Sequence, residues 1–483
     1  MKKLYELYPA VGEDCDVDIK SIKINSKEVE NGDLFVCTMG VTADRHDFVD
    51  DAIKRGASAL IISKDIGKKN VPTIKVPDTN RELPYLCQKF YDYPDQKLKM
   101  IGVTGTDGKT STATIIQTLI GSDICGYIGT NGRSCAAFSG DNPNTTPDAD
   151  KLYSYLDEFV RFGCKYAATE ASSEAFFRGR LQTVKYDLSV YTNITSEHLN
   201  IHGSFENYLD CKMMLFRQTK EDGHSILNID DPYYETVKSN CVAQVLTYGM
   251  KDEADLQIKA FKVFPTKTDI TFKYKDNEFK VESPLLGDFN VYNLAAGMLS
   301  CLALGFSLES ILDKIKNIKI DGRLVVLNTD TPYYVMVDYA HTPNGITKLL
   351  EFVHTLDIKR SIVVIGQAGE RDYVKRPQVG EVVVKNCTHA IFTYEDPRSE
   401  DPEKICEDIV STVKDTYDNY EIVIDRREAI NKAISMAEAG DMVLILGKGN
   451  ETYEKLKTET IYFNDVEEAY NAVASRKIKE STN

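Results

Sequence analysis

Residues Ile101–Thr112 read IGVTGTDGKTST, and no other stretch restricts the possible folds so tightly. An apolar run, Met100–Val103, enters a turn carrying Gly105 and Gly108, then passes to Lys109, Thr110 and a helical pattern over Ser111–Ile120. Strand, glycine turn, Lys-Thr and helix, in that order, describe a cradle for a nucleotide triphosphate. Glycines let backbone N–H groups approach phosphate oxygens, lysine adds a mobile point charge, and a threonine hydroxyl suits the Mg²⁺ that bridges phosphates. The strict G-x-x-x-x-G-K-[ST] spacing is not met, because Val103 stands where its first glycine belongs. The variant keeps the flanking strand and helix that a chance match in a loop lacks. Gly105, Thr106, Asp107, Gly108, Lys109, Thr110 and Ser111 are therefore the expected phosphate-binding set.

At 483 residues the chain is too long for one ordinary domain. With 58 Lys+Arg against 74 Asp+Glu its net charge is −16, so bulk charge argues against nucleic acid or an anionic membrane as partner. Any anionic substrate must be met by local cations. No apolar run approaches the length of a membrane span, and MKKLYELYPAVGED lacks the apolar core of a signal peptide. The 11 cysteines are scattered, odd in number and without a C-x-x-C, which points to reduced thiols in the cytoplasm rather than disulfides or zinc.

Three parts follow from the patterning: 1–97, 98–327 and 328–483. The first alternates expected strands (Asp33–Thr38, Ala57–Ser63, Thr73–Val76) with helices (Asp47–Arg55, Arg81–Tyr91). The second opens on Lys99–Thr104 and continues through strands at Tyr166–Ala171, Leu188–Asn193 and Ser225–Ile229, with a helix from Phe205. Between Asp255 and Pro284 the period switches to two, predicting an antiparallel patch. In the third, Tyr334–Asp338, Ser361–Ile365, Ala390–Tyr394, Glu421–Ile424 and Met442–Leu446 are short apolar strands at helix-length spacing. That predicts right-handed βαβ units in a doubly wound sheet.

GTDGKT, TEASSEAFFRGR, YTNITSEHLNIHG, ENYLDCKMMLF, GDFNVYNLAA, DGR and DYAHTP occur in this order, and the ordered set resembles the Mur ligases. These are ATP-dependent enzymes that add amino acids to the peptidoglycan precursor. NTTPDA, GERDYVKRP, EDPRSEDP and GKGNETY narrow the resemblance to members that extend UDP-N-acetylmuramoyl-L-Ala-D-Glu to the tripeptide. It covers nearly the whole chain. It implies an α/β protein of three domains: a UDP-sugar-binding module, a central P-loop-type ATPase and a Rossmann-like domain for the acceptor amino acid, working as a monomer with ATP and Mg²⁺.

The resemblance also assigns residues. Thr110, Glu170, His198 and Lys212 are the implied metal set, Lys212 as a carbamate formed with CO₂. From the residues alone, histidines such as His198 and His202 are more often capping or hydrogen-bonding residues than ligands, and a lysine such as Lys212 is usually a solvated helix lysine. Asn290 and Asn293 are placed to read an adenine edge, or are simple N-caps. Arg323, Asp338 and His341 are implied ATP contacts at a domain junction. Ser26, Thr145, Thr146, Ser172 and Arg180 match positions that hold the UDP-muramoyl-dipeptide. Arg371, Glu395, Asp396, Pro397, Arg398, Gly447 and Glu451 match the acceptor loops. A guanidinium at Arg398 suits the distal carboxylate of meso-diaminopimelate, which L-lysine lacks. Asp396, where the family usually has Asn, instead suits a purely cationic side chain. The chain also departs from the family at Asn25, Lys27, Glu174 and Val325. Two other readings are a folylpolyglutamate-synthase-like ligase and a non-catalytic nucleotide-binding regulator; retention of Lys109, Thr110, Glu170, His198 and Lys212 argues against the second.

Overall fold

The computed structural model describes residues 1–12, 15–40, 43–142, 144–195, 197, 199–320, 322, 324–371 and 373–482. His198 and Arg323 lie outside the described residues. The chain forms two compact units. One comprises Met1–Lys259, Phe272–Phe279 and Tyr292–Ile315; the other comprises Ala260–Thr271, Lys280–Val291 and Lys316–Asn483.

The first unit contains, near its start, a four-stranded parallel sheet, Ile22–Lys23, Leu34–Val36, Ala59–Ile62 and Thr73–Lys75 in that spatial order. Alternate residues face two apolar clusters: Leu34, Val36, Ala59 and Ile61 on one side, Phe35, Leu60 and Ile62 on the other. A 3₁₀ turn, Arg45–Phe48, precedes the helix Val49–Arg55, so the helix starts two residues later than its pattern suggests. The next helix starts earlier, at Thr79, because the Asp78 carboxylate accepts from the N–H groups of Asn80 and Arg81.

An eleven-stranded sheet follows, with Lys99–Thr104 between Tyr166–Glu170 and Tyr186–Tyr191, all parallel. Glu170 pairs with Val103, which brings its carboxylate to the same sheet edge as the glycine turn. Four strands of this sheet have no counterpart in the sequence reading: Cys125–Gly129, Gly132–Cys135, Phe138–Gly140 and Gln244–Gly249. The strand expected at Ser225–Ile229 is longer, Thr219–Asn228. Its polar start is held by charge: Asp187 takes Lys220 at 2.9 Å and Lys99 at 3.1 Å. The period-two region forms Leu256–Val263, Thr268–Tyr274 and Asn277–Ser283, adjacent in the sheet. The two-residue connection at 275–276 makes the last pair an antiparallel hairpin.

The second unit holds a six-stranded sheet whose parallel members run Tyr334–Asp338, Met442–Leu446, Ser361–Ile365, His389–Phe392 and Tyr420–Ile422 in space. Val325–Val326 adds an antiparallel edge strand. Successive side chains feed two separate cores: Met336, Leu444, Val363 and Ile365 pack with helices Pro343–His354, Arg376–Asn386 and Pro402–Val410. Val337, Ile445, Ile362 and Val364 pack with Arg426–Met436 and Asp465–Thr482. Helices on both faces of a parallel sheet make it doubly wound.

Candidate active site

Gly108, at φ +82°, caps the helix Lys109–Ile120, and no side chain caps that end. The first-turn N–H groups are thus left to an anionic ligand. A side chain at Gly108 would place its Cβ 2.4 Å from Asn293 Oδ1. The turn is held by the chain after the neighbouring strand. Thr106 N–H donates to Asn193 O at 2.8 Å, Asp107 N–H to Asn193 Oδ1 at 3.0 Å, and Thr195 N–H to Thr106 Oγ1 at 2.9 Å. Lys109 Nζ lies across the turn, donating to Gly105 O (3.0 Å) and Thr106 O (2.7 Å). Ser111 is buried behind it.

Glu170 is 1% exposed and accepts from Thr110 Oγ1 (3.0 Å), Tyr127 OH (2.7 Å), Thr130 N–H (2.8 Å) and Thr130 Oγ1 (3.2 Å). Burial, and then the Glu170 charge, push the Tyr127 hydroxyl far above its ordinary range, so it stays a donor. A carboxylate and a hydroxyl at the foot of an uncapped helix are hard oxygen ligands of the kind Mg²⁺ shares with phosphates, and they fit that ion. Among the described residues no three His, Cys, Asp or Glu side chains form a metal cage.

Lys212, on the helix Phe205–Arg217, is 2% exposed. Its Nζ donates to Gly105 O at 2.6 Å and sits 4.6 Å from the Tyr208 ring centre. Burial first, and then the charge of Lys109, hold it well below the usual lysine range. The solvated-lysine reading is thereby corrected: the amine is buried against the phosphate turn. His202 is packed instead of poised, with Nε2 3.1 Å from Ser173 Oγ and its ring against Phe177 and Tyr208.

The next group joins the same strand end. Thr146 Oγ1 donates to Glu170 O at 2.7 Å and accepts from Ser172 N–H at 3.1 Å. Arg180 NH1 donates to Thr146 O at 3.1 Å, and its Nε lies 2.6 Å from Asp148 Oδ1. Thr145 Oγ1 is 3.1 Å from Thr130 Oγ1, one step from Glu170. Beside them opens a cleft of 220 Å³ lined in part by Arg45, Asn80, Asn144, Arg178 and Arg180. Ser26 starts the 3₁₀ turn Ser26–Glu28 on the small sheet, with its hydroxyl hydrogen-bonded to Asp51.

In the second unit three loops meet around Asp396. Its carbonyl accepts from Gly369 N–H at 2.8 Å, and its Oδ1 accepts from Lys448 Nζ at 3.0 Å and Lys455 N–H at 3.2 Å. Lys448 also reaches Glu451 Oε2 at 3.3 Å. Arg398, following Pro397, has φ +55° and donates its N–H to Lys455 O at 2.9 Å. It lines a 500 Å³ cavity with Glu370 and the 455–460 turn. Arg371 is exposed. Gly447 (φ +113°) admits no side chain, since a Cβ would meet Glu395 Oε1 at 1.7 Å. Burial pushes the Glu395 carboxyl up to about 8. Asp338 bridges the start of this unit, accepting from Leu324 N–H (2.8 Å) and Ala340 N–H (2.7 Å). His341 is exposed, its Nδ1 2.9 Å from Tyr339 O.

Comparison with known proteins bears on this arrangement. The Mur ligase middle domain matches residues 103–301, the Mur ligase glutamate ligase domain 322–449 and the Mur ligase family catalytic domain 18–100. The UDP-N-acetylmuramoyl-L-alanyl-D-glutamate--2,6-diaminopimelate ligase of Geobacillus thermodenitrificans is 37% identical over 96% of this chain and 95% of its own. The chain belongs to the Mur ligase family. The enzyme of the same name from Clostridium perfringens is 36% identical over 95% and 96% of the two chains. A solved diaminopimelate ligase of this kind covers 99% of both chains at a TM-score of 0.72 and 29% identity. The Mur ligase three-domain α/β fold, with its central nucleotide-binding domain and Rossmann-like C-terminal domain, is therefore that of this chain.

Seen as a Mur ligase, the chain carries its departures with local compensation. Asn25 Oδ1 caps the Ser26 turn by accepting from Lys27 N–H at 3.1 Å. Glu174 pairs with Arg178 at 2.6 Å, one turn on, at the rim of the cleft. Val325 opens the edge strand paired with Val337. Asn290 and Asn293 are both buried. The first donates to Leu286 O at 2.8 Å, and the second accepts from Thr112 Oγ1 at 3.2 Å. Sequence reasoning missed Tyr127, Thr130, Arg178 and Lys448. Lys448 stood inside the quoted GKGNETY motif, but nothing local announces a partner 52 positions away.

Proposed function

We propose that this Mur ligase joins meso-diaminopimelate to UDP-N-acetylmuramoyl-L-Ala-D-Glu in peptidoglycan synthesis. The observation that carries the reading is the Thr110–Glu170 pair under an uncapped helix, sharing its strand end with Thr146, Ser172 and Arg180. A phosphate tail and a substrate carboxylate are thereby brought to one place. ATP supplies the phosphoryl group that makes the carboxylate an acyl phosphate, and Mg²⁺, when bound, would supply positive charge against the phosphates.

The residue roles follow from the chemistry. Residues Gly105–Ser111 bind the phosphates through backbone N–H groups, and Lys109 exchanges its two carbonyl partners for phosphate oxygens. Thr110 and Glu170 would hold the metal, with His198 as a further ligand. Lys212 acts as a carbamate: the neutral amine attacks CO₂, an N–C bond forms, one proton leaves the nitrogen, and the neutral amine becomes an anionic carbamate. Its depressed proton affinity supplies the neutral amine that this step needs. Asn290 and Asn293 serve the adenine of ATP, and Arg323, Asp338 and His341 its phosphate and ribose. Ser26, Thr145, Thr146, Ser172 and Arg180 hold the UDP-dipeptide, and the Arg45–Arg178–Arg180 cleft suits its anionic groups.

Arg371, Glu395, Asp396, Pro397, Arg398, Gly447 and Glu451 form the acceptor site. The half-buried Arg398 guanidinium favours an acceptor with a distal carboxylate. We assign UDP-sugar, ATP and amino-acid binding to residues 1–97, 98–327 and 328–483, and place the enzyme in the cytoplasm, where ATP and reduced thiols are found. No helix among the described residues is long and apolar enough to cross a membrane. The test is mass spectrometry of the product formed from ATP, the UDP-dipeptide and a panel of amino acids. Mass gain of the UDP-dipeptide with meso-diaminopimelate supports the reading; gain with L-lysine in its place, or with none of the amino acids, overturns it.

A further inference from the structure

Two carboxylates of the acceptor loops, Asp396 and Glu451, share one cation. Lys448 has a side chain 1% exposed, 3.0 Å from Asp396 Oδ1 and 3.3 Å from Glu451 Oε2. The Asp396 side chain is 9% exposed and also accepts from Lys455 N–H, whereas Glu451 is 27% exposed. One positive charge between two negative ones leaves a single net negative charge, and the more exposed end is Glu451. Asp396 is occupied by partners of its own chain.

The geometry points to Lys448 as a specificity-determining residue that silences the Asp396 carboxylate, leaving the more exposed Glu451 carboxylate to be set against the Arg398 guanidinium. This inference rests on the reading of these loops as the acceptor site. A distal group that is itself both ammonium and carboxylate matches that pair. A purely cationic side chain finds one anion to pair with and one cation, Arg398, that repels it. Removing the Lys448 charge would expose a second carboxylate and tilt the site toward L-lysine. Removing the Asp396 charge would leave Lys448 under-compensated and tilt it further away. Lys448 does not touch the reacting atoms: it works through Asp396 and Glu451.

The experiment compares kcat/KM for meso-diaminopimelate and for L-lysine, at saturating ATP and UDP-dipeptide, in wild type, Lys448→Met, Asp396→Asn and the double variant. The ratio of the two values should fall about tenfold or more in Lys448→Met, rise in Asp396→Asn, and return toward wild type in the double variant. The KM values for ATP and UDP-dipeptide should stay within about twofold, which a general loss of structure would not allow. An unchanged ratio in a folded Lys448→Met protein, or a double variant with the Lys448→Met ratio, overturns the inference. Should Lys448→Met fail to fold, the near-isosteric Asp396→Asn decides alone: a ratio that stays or falls is contrary. A wild type that ligates neither amino acid removes the acceptor-site reading itself, an outcome distinct from both.

Discussion

Arg426 and Asp465 form an ion pair with both side chains 0% exposed. Arg426 Nε donates to Asp465 Oδ1 at 2.8 Å and NH2 to Oδ2 at 2.7 Å, while NH2 also reaches Leu446 O at 2.9 Å. The pair joins the first residues of the helices Arg426–Met436 and Asp465–Thr482 to the end of the strand Met442–Leu446, one residue before the Gly447 turn. Replacing one partner leaves the other charged in a dry interior, at a cost of about 3–5 kcal/mol. For a domain of this size about 2–4 °C is lost per kcal/mol, so Arg426→Met should lower the Tm of the C-terminal transition by roughly 6–20 °C. Asp465→Asn should behave alike. The double replacement Arg426→Met with Asp465→Leu removes both charges and should recover most of the loss. Calorimetry and urea titration read these values, with the C-terminal transition fitted separately because a multidomain chain need not unfold in one step. A single variant within about 1 kcal/mol of wild type would refute the argument from an unpaired buried charge, as would a double variant no better than the worse single.

Lys109→Ala should keep the fold and lower kcat by at least about a hundredfold, since its charge meets the one that develops in phosphoryl transfer; stopped-flow phosphate release checks it. Lys212→Ala should be inactive and partly rescued by acetate or propionate, and ¹³CO₂ should give wild type a carbamate NMR signal that the variant lacks. Arg398→Ala should raise the acceptor KM about tenfold to a hundredfold while the KM for ATP stays put, as a lost charge-assisted hydrogen bond requires. Glu395, pushed up to about 8 by burial, holds its proton when folded and loses it when unfolded above the ordinary 4.5. The unfolded state then binds fewer protons, so stability should fall as pH rises from about 4.5 to 8, by at most about 1.4 kcal/mol per unit. Glu395→Gln should flatten that slope in urea titrations at a series of pH values.

The parts of the molecule that could be read in advance are those whose cause is local. A strand feeding a glycine turn and a helix is written in consecutive residues, and Ile101–Ile120 folds as its pattern demands. The third-domain strands alternate between two cores, which their apolar runs announce. Gly132–Cys135 and Phe138–Gly140 were not legible, because short strands with glycine carry little apolar alternation. The polar start of Thr219–Asn228 is strand only because Asp187 neutralises Lys220, a contact 33 positions away. Site residues followed the same rule. Glu170 was visible as the end of an apolar strand, whereas Tyr127 and Thr130, which hold its carboxylate, were not. By local pattern alone Lys212 is an ordinary helix lysine, and only the family resemblance singled it out, because the Gly105 carbonyl it is buried against is 107 positions away.

The most direct test of the central claim follows an oxygen atom. If ATP activates the glutamyl carboxylate as an acyl phosphate at the Thr110–Glu170 site, one carboxylate oxygen must leave with the phosphate when the amine attacks. UDP-N-acetylmuramoyl-L-Ala-D-Glu labelled with ¹⁸O in that carboxylate should give inorganic phosphate carrying one ¹⁸O per amide bond formed with meso-diaminopimelate. Label in AMP, or amide formation with unlabelled phosphate, would contradict the account.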